Sequence, residues 1–92
     1  MYMRVTRGRV DPGRYDELLV VAPDVIAAIT RLPGYQQIVA GGDRTDGRTI
    51  AVSTFDTEEH ARFSRDALSD VMSKLQAVGA QLDPPDIFEV FP

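Results

Sequence analysis

Few side chains in this 92-residue sequence can take part in acid–base or nucleophilic chemistry. His60 is the only histidine, and cysteine is absent, which excludes thiolate nucleophiles, thiolate metal ligands and disulfides. An imidazole titrates near neutrality, so His60 is a candidate catalytic base. It also lies at the start of a predicted helix, close in sequence to Phe55, where its ring can simply pack against an apolar neighbour. The second role is the simpler interpretation, and both stay open.

The first predicted strand carries Arg7 and Arg9 at alternate positions, so both guanidinium groups face the same side of the sheet. Arg7 is a candidate catalytic group that stabilises an anionic or phenolate ligand, and Arg9 is a candidate contact to the same ligand. Alternatively, both arginines pair with carboxylates such as Glu89, provided that the first and last strands are neighbours.

Three further side chains are candidates to bind a flat organic ligand, namely Tyr35, Phe63 and Met72. Tyr35 opens the second strand, where its ring could line a cavity and its hydroxyl could find a polar partner. Phe63 and Met72 belong to an apolar stripe at helical spacing and would wall the same cavity. Such a stripe belongs to the core more often than to a binding site, so this alternative also stays open.

Other kinds of site lack the residues that they need. One histidine and scattered carboxylates give no metal-ligand spacing, so we expect no metal. The glycines at 41, 42 and 47 join two strands and do not open a helix, which argues against a phosphate-binding loop. The net charge of −4 argues against nucleic-acid binding.

Membrane association is not expected either. No apolar run reaches the roughly 18–20 residues that a membrane span requires, and the first residues lack the apolar block of a signal peptide. We therefore expect a cytoplasmic protein.

The elements that must position these residues follow in the order β-α-β-β-α-β. Periodicity and turn residues predict strands over 2–10, 35–40, 49–55 and 87–91 and helices over 11–32 and 56–78. Asp11 is the predicted N-cap of the first helix, which Pro23 should kink. In the second helix Asp56 and Glu59 form a predicted capping box, and the polar segment 64–66 should bend or divide the helix.

This order predicts a single α+β domain over residues 1–92, with a ferredoxin-like four-stranded antiparallel sheet and both helices on one face. The strands are apolar on both sides, since neighbours such as Ile38 and Val39 point in opposite directions. A bare apolar sheet face is unusual in a soluble monomer, and a chain this short has a modest core. We therefore expect a homodimer in which a second copy covers that face.

Several motifs recur in a characteristic order along nearly the whole chain. They are a charged first strand, the helix start Asp11-Pro12-Gly13, the turn Leu32-Pro33-Gly34-Tyr35 and the helix opening Phe55-Asp56-Thr57-Glu58-Glu59. In this order they resemble the dimeric α+β barrel superfamily and, within it, the antibiotic-biosynthesis-monooxygenase-like family. The resemblance implies a dimeric barrel and a mostly apolar pocket between the sheet and the helices that suits a planar ligand.

The haem-degrading branch of that superfamily does not fit this sequence. The positions of its asparagine, tryptophan and histidine correspond here to Thr6 or Arg7, to Phe63 and to Ser73, and the chain contains no asparagine or tryptophan. Without an axial imidazole at that site, haem ligation of this kind is excluded. We expect no cofactor.

Two functional hypotheses follow from the resemblance. The first is a cofactor-independent monooxygenase, or a related small enzyme, acting on a planar phenol or quinol, with His60 or an arginine as the acid–base or anion-stabilising group. The second is a non-catalytic, small-molecule-binding or stress-associated dimer. The fold alone does not decide between them.

Overall fold

A computed structural model describes all 92 residues of the chain, Met1–Pro92. It contains five strands and three α-helices, with 3₁₀ turns at Pro12–Arg14 and Arg65–Leu68. In chain order the elements are β1 (Tyr2–Arg9), α1 (Tyr15–Thr30), β2 (Tyr35–Gly42), β3 (Arg48–Phe55), α2 (Glu58–Ala61), α3 (Ser69–Ala77), β4 (Gln81–Leu82) and β5 (Asp86–Glu89). The predicted α+β class and ferredoxin-like order of elements are confirmed.

All strands pair in antiparallel fashion, in the order β2-β3-β1, and both β4 and β5 pair with β1. β4 lies opposite Gly8 and Arg9, whereas β5 lies opposite residues 2–5. The sheet thus has five strands, and the prediction of four was wrong in this respect. Pro84 and Pro85 fall between β4 and β5, and prolines cannot donate to a sheet ladder, so the last strand position is divided in two.

The core lies between the sheet and the helices. Side chains alternate along β1, so Arg4 and Thr6 face the helices, as do their register partners Ser53 and Ala51 on β3. Phe55 is completely buried on this side of the sheet. The buried cluster around it comprises Ile29, Phe55, Ala61, Leu68 and Val71.

The first helix differs from the prediction at its start. Asp11 accepts a hydrogen bond from the Gly13 amide at 2.8 Å, but it caps the 3₁₀ turn, and α1 begins only at Tyr15. α1 then continues through Pro23 to Thr30 without interruption.

The second helical segment is divided, as the polar residues 64–66 predicted. α2 ends at Ala61, and the 3₁₀ turn and α3 follow after a short irregular link. The N-cap of α2 is Thr57, whose hydroxyl accepts from the His60 amide at 3.1 Å, so the prediction of Asp56 as N-cap was wrong. The Asp56 carboxylate hydrogen-bonds the His60 ring instead.

The face of the sheet that points away from the helices carries apolar side chains that nothing covers. We call it the open face, and it includes Val39 on β2, Ile50 on β3 and Phe88 on β5, which are 63%, 41% and 47% exposed. Val5 and Val52 lie between them as register partners on the two central strands. None of the helices combines the length and hydrophobicity needed to cross a bilayer.

Candidate functional site

A cavity of about 400 Å³ lies between the helices and the sheet. Seventeen of its 23 lining residues are hydrophobic, and they include Leu18, Leu19 and Ile26 of α1. Leu19 is nearly half exposed, so the cavity reaches solvent beside α1. Phe63 and Met72 line the same cavity. Its volume and apolar lining suit a ligand the size of a small planar aromatic molecule.

Arg4 on β1 brings a charged group to the wall of this apolar cavity and is only 5% exposed. Its Nη1 donates to the carbonyl oxygens of Ala61 at 3.0 Å and Phe63 at 2.9 Å. The Ala61 carbonyl is available because it belongs to the last residue of α2, whose final carbonyls have no partner within the helix, and Phe63 lies in the irregular link that follows. The guanidinium carbon lies 3.8 Å from the centre of the Phe63 ring, in cation–π contact.

No carboxylate neutralises Arg4. The charged group that acts on it is Arg65, which also lines the cavity. Burial, with a further contribution from Arg65, lowers the pKa of Arg4 to about 10, which leaves the guanidinium charged at neutral pH. Its Nε and Nη2 make no hydrogen bond within the protein. The cavity wall therefore presents a positive charge without a counter-charge, and its remaining N–H groups are free to donate hydrogen bonds to a ligand.

Three residues that carry hydroxyl groups also line the cavity, namely Thr6, Tyr15 and Thr49. Tyr15 is buried, and the Arg44 guanidinium lies 4.8 Å from the centre of its ring. Gly42 makes room for this ring, since a Cβ there would lie 2.8 Å from the Tyr15 hydroxyl. No protein group hydrogen-bonds these three hydroxyls, so they are free to contact a ligand.

Neither a protein-family model nor a curated protein matches the sequence. Solved structures match over its whole length. This chain has the fold of the antibiotic biosynthesis monooxygenases.

A protein of Deinococcus radiodurans assigned to that group is 11% identical, with a TM-score of 0.77 over 100% of this chain and 94% of that one. SnoaB of Streptomyces nogalater, a cofactor-independent oxygenase, is 15% identical, with a TM-score of 0.71 over 99% and 93% of the two chains. A similarly assigned protein of Nitrosomonas europaea is 12% identical, with a TM-score of 0.76 over all of both chains. These matches confirm the predicted resemblance at the level of the fold.

Within this fold, the structure places His60 outside the cavity. The imidazole is 39% exposed, and its Nδ1 lies 2.6 Å from Oδ1 of Asp56, one helical turn earlier. This hydrogen bond lowers the pKa of Asp56. A side chain held in this way stabilises the start of α2 and does not approach a ligand in the cavity.

Arg7 and Arg9 do not line the cavity either, because they lie on the open face. Arg7 Nη1 is 3.0 Å from Oδ2 of Asp86, and both side chains are 57% exposed. The predicted pairing with the last strand therefore exists for Arg7, but its partner is Asp86 and not Glu89. Tyr35 is also outside the cavity, since its ring packs edge-on against Phe55 with centroids 6.5 Å apart.

The structure thus gathers Phe63 and Met72 of the six predicted site residues, and it adds Arg4, Arg65 and Tyr15. The sequence pattern placed the candidate site on the other side of β1, because Arg7 and Arg9 stand at alternate positions and share that face. The signal that could have indicated Arg4 was its position two residues before Thr6, which places both side chains on the same face of β1. No cluster of three or more histidine, aspartate or glutamate side chains could hold a metal ion.

Proposed function

We propose that this protein is a cofactor-independent monooxygenase that acts on a planar phenol or quinol bound as its anion. The observation that carries the proposal is Arg4, a buried guanidinium without a carboxylate partner in the wall of an apolar cavity. A buried charge is costly unless it is paired, so a negatively charged ligand is its natural complement. The likeness to SnoaB, a cofactor-independent oxygenase with the same fold, supports this choice.

The guanidinium favours ionisation of the bound substrate. A positive charge within about 4–6 Å of a phenol lowers its pKa by about 1–3 units, so the substrate releases its proton in the cavity more readily than in water. The resulting anion is delocalised onto a ring carbon and is electron-rich enough to react with oxygen. Catalysis then consists mainly of stabilising this anion where its charge develops.

The oxygenation balances without a further reductant. For an anthrone-type substrate, the carbanion gives an electron pair to O₂, a carbon–oxygen bond forms, and protonation yields a hydroperoxide. The carbon then loses its remaining proton as the O–O bond breaks, leaving a ketone and water. One oxygen atom stays in the product, and the substrate methylene supplies the electrons that reduce the other.

Other cavity residues support this reaction. The Tyr15 hydroxyl can donate a hydrogen bond to the peroxide, since it lines the cavity and has no partner in the protein. Phe63 and Met72 bind the flat ring and exclude water from the anion, which strengthens its attraction to Arg4. The Phe63 ring also stabilises the Arg4 guanidinium through their cation–π contact.

We also propose that the protein assembles as a homodimer through the open face. Val39, Ile50 and Phe88 are large apolar side chains that remain exposed there. A closed two-fold assembly would cover one open face with another and leave the cavities, on the opposite side of each sheet, accessible.

A non-catalytic binding protein is the second candidate. No histidine, aspartate or glutamate is among the residues that line the cavity, so the chain supplies no ordinary general base there. A protein of this kind would bind the same planar anions and release them unchanged.

Oxygen uptake distinguishes the two. Wild-type protein should consume oxygen above the spontaneous rate with at least one member of a panel of anthrones, anthrols and naphthoquinols. Arg4→Gln should lose about 10²-fold in rate, and its pH–rate profile should move about 1–3 units toward higher pH, because the substrate then ionises without a nearby cation. His60→Ala is the matched control and should keep the wild-type rate.

One result would oppose the monooxygenase, and another would oppose the role given to Arg4. Tight binding without oxygen uptake across the panel would favour the binding protein. Loss of activity in His60→Ala with retention in Arg4→Gln would indicate that His60, and not Arg4, is the catalytic group.

A further inference from the structure

A second guanidinium, Arg65, lies beside Arg4 and also lacks a carboxylate partner. It opens the 3₁₀ turn Arg65–Leu68, and its Nη2 donates to the backbone carbonyl of Asp83, in the link between β4 and β5. This bond holds the side chain in place without neutralising its charge. Arg4 and Arg65 are the two charged residues in the cavity lining, which contains no acidic residue.

Arg65 occupies the place where the cavity meets a polar groove on the surface of α3. The groove has a volume of about 570 Å³ and shares five residues with the cavity, which are Arg65, Met72, Leu75, Ala80 and Leu82. Its polar wall comprises Asp66, Ser69, Ser73, Gln76 and Gln81. Arg4, by contrast, is buried. The two positive charges are therefore arranged as an inner and an outer group.

Two adjacent cations in a mostly apolar cavity are energetically costly, and this cost indicates which charged groups the ligand carries. One phenolate neutralises one guanidinium, and it leaves the other without a counter-charge at the outer end of an apolar cavity. A carboxylate on the same ring system fits the second group, because the guanidinium fork binds a planar carboxylate through two parallel hydrogen bonds. A flat ligand with both groups matches the apolar walls and the two charges together.

We propose that Arg65 is a specificity-determining residue that binds a carboxylate substituent at the outer end of the cavity, so that the substrates are planar hydroxyaromatic carboxylic acids. This inference rests on the proposed function, in which Arg4 faces the ionised hydroxyl. It adds a second anionic group to the substrate and a residue that recognises it.

A pair of ligands of nearly the same shape tests the carboxylate without any turnover. The ligands are 3-hydroxy-2-naphthoate and its neutral carboxamide, and their affinities are measured by fluorescence titration under nitrogen. Wild-type protein should bind the carboxylate about 10- to 100-fold more tightly, as expected for a charge-assisted bidentate contact. Arg65→Gln should abolish this preference and leave the affinity for the carboxamide unchanged.

Arg62→Gln provides the matched control. Arg62 lies three residues earlier and is exposed, but its Nε is 2.8 Å from Oε2 of Glu58, so its charge is already paired. This variant should keep the wild-type preference. Oxygen uptake with a carboxylated substrate should show a raised KM and a little-changed kcat in Arg65→Gln, because the residue binds a group remote from the reacting carbon.

The outcomes separate this inference from the proposed function. Equal wild-type affinity for the two ligands would overturn the carboxylate contact, whereas oxygen uptake with uncharged quinols would still support the monooxygenase. Equal loss of preference in Arg62→Gln and Arg65→Gln would overturn the assignment to Arg65. If neither naphthalene ligand bound at all, the carboxylate contact would also be overturned, and the oxygen-uptake panel would still decide the monooxygenase separately.

Discussion

Most arginines of this protein are balanced by a nearby carboxylate, and those of the cavity are not. Arg7, Arg44 and Arg48 each contact an aspartate at the surface, where both partners remain hydrated. Such exposed pairs contribute little to the free energy of folding. Arg4 is instead buried against two carbonyl groups and a phenylalanine ring. The energetic cost of its burial in an apolar cavity makes it the residue whose role depends most on a ligand.

The hydrogen bond between Asp56 and His60 gives a pH-dependent contribution to stability. It lowers the pKa of Asp56 below the ordinary value of 3.8 that applies to the unfolded chain. The folded state therefore binds this proton less readily, so the contact stabilises the protein above pH 3.8 and the stabilisation is lost as the pH falls through the lowered pKa. Asp56→Asn should lower the Tm at pH 7, and the difference from wild type should shrink below pH 3.8.

Thermal unfolding followed by circular dichroism across this pH range measures the effect. Glu89→Gln is the control, because Glu89 is an exposed carboxylate without an ion-pair partner, and it should change the Tm little at either pH. A difference between Asp56→Asn and wild type that stays constant from pH 7 to pH 3 would contradict the linkage.

The site was only partly predictable at this scale. Phe63 and Met72 were predicted from helical periodicity, and both line the cavity, although only Met72 lies in a helix and Phe63 lies in the irregular link after α2. The side of β1 that faces the helices depends on its register with β3. Both faces of β1 carry polar and apolar residues, so the sequence does not show which face is directed at the helices. Arg4 was missed for this reason. The role of His60 was obscured because Thr57, one residue after the predicted cap, is the residue that caps α2.

At the level of elements, local patterns predicted where helices and strands form better than where they are interrupted. The strands end close to their predicted bounds, and the divided second helix follows from its polar segment 64–66. The short strand β4 was not predicted, because Gln81 and Leu82 pair with β1 only where the chain returns to its edge. Contacts of this kind between distant residues are not encoded in a short window of sequence.

Gly47 is the glycine on which the β2–β3 connection most depends. Its φ is +80°, and a Cβ would lie 1.8 Å from the carbonyl oxygen of Val10. The same residue accepts a hydrogen bond from the Val10 amide at 2.9 Å, so the loop is tied to the end of β1. Gly47→Ala should therefore lower the free energy of unfolding by about 1–3 kcal/mol, because a strained backbone and a steric clash act together.

Urea unfolding measures this change, and Gly41→Ala is the matched control in the same hairpin. A Cβ at Gly41 would meet nothing within 4 Å, so that variant should stay within about 0.5 kcal/mol of wild type. Equal effects of the two substitutions would indicate a general cost of alanine in the hairpin and not the contact with Val10.

For the whole molecule, the open face is the feature that a single copy of the chain leaves unexplained. Its apolar residues span the sheet from Val39 on the β2 edge to Phe88 on β5. Stable interfaces bury roughly 800 Å² on each partner, and a sheet of this extent can supply such an area. The Arg7–Asp86 pair lies on the same face and would set the orientation of a partner more than its affinity.

Two exposed valines allow a direct test of this assembly. Val39 lies on the open face and is 63% exposed, whereas Val20 lies on α1 and is 77% exposed. Val39→Glu should convert a micromolar dimer into a monomer, because it places like charges and unpaired carboxylates within an apolar contact. Val20→Glu adds the same charge to the helical surface and should leave the dimer intact. Sedimentation velocity at several concentrations resolves the two states, and a monomeric wild-type protein at micromolar concentration would refute the assembly and leave the open face without a partner.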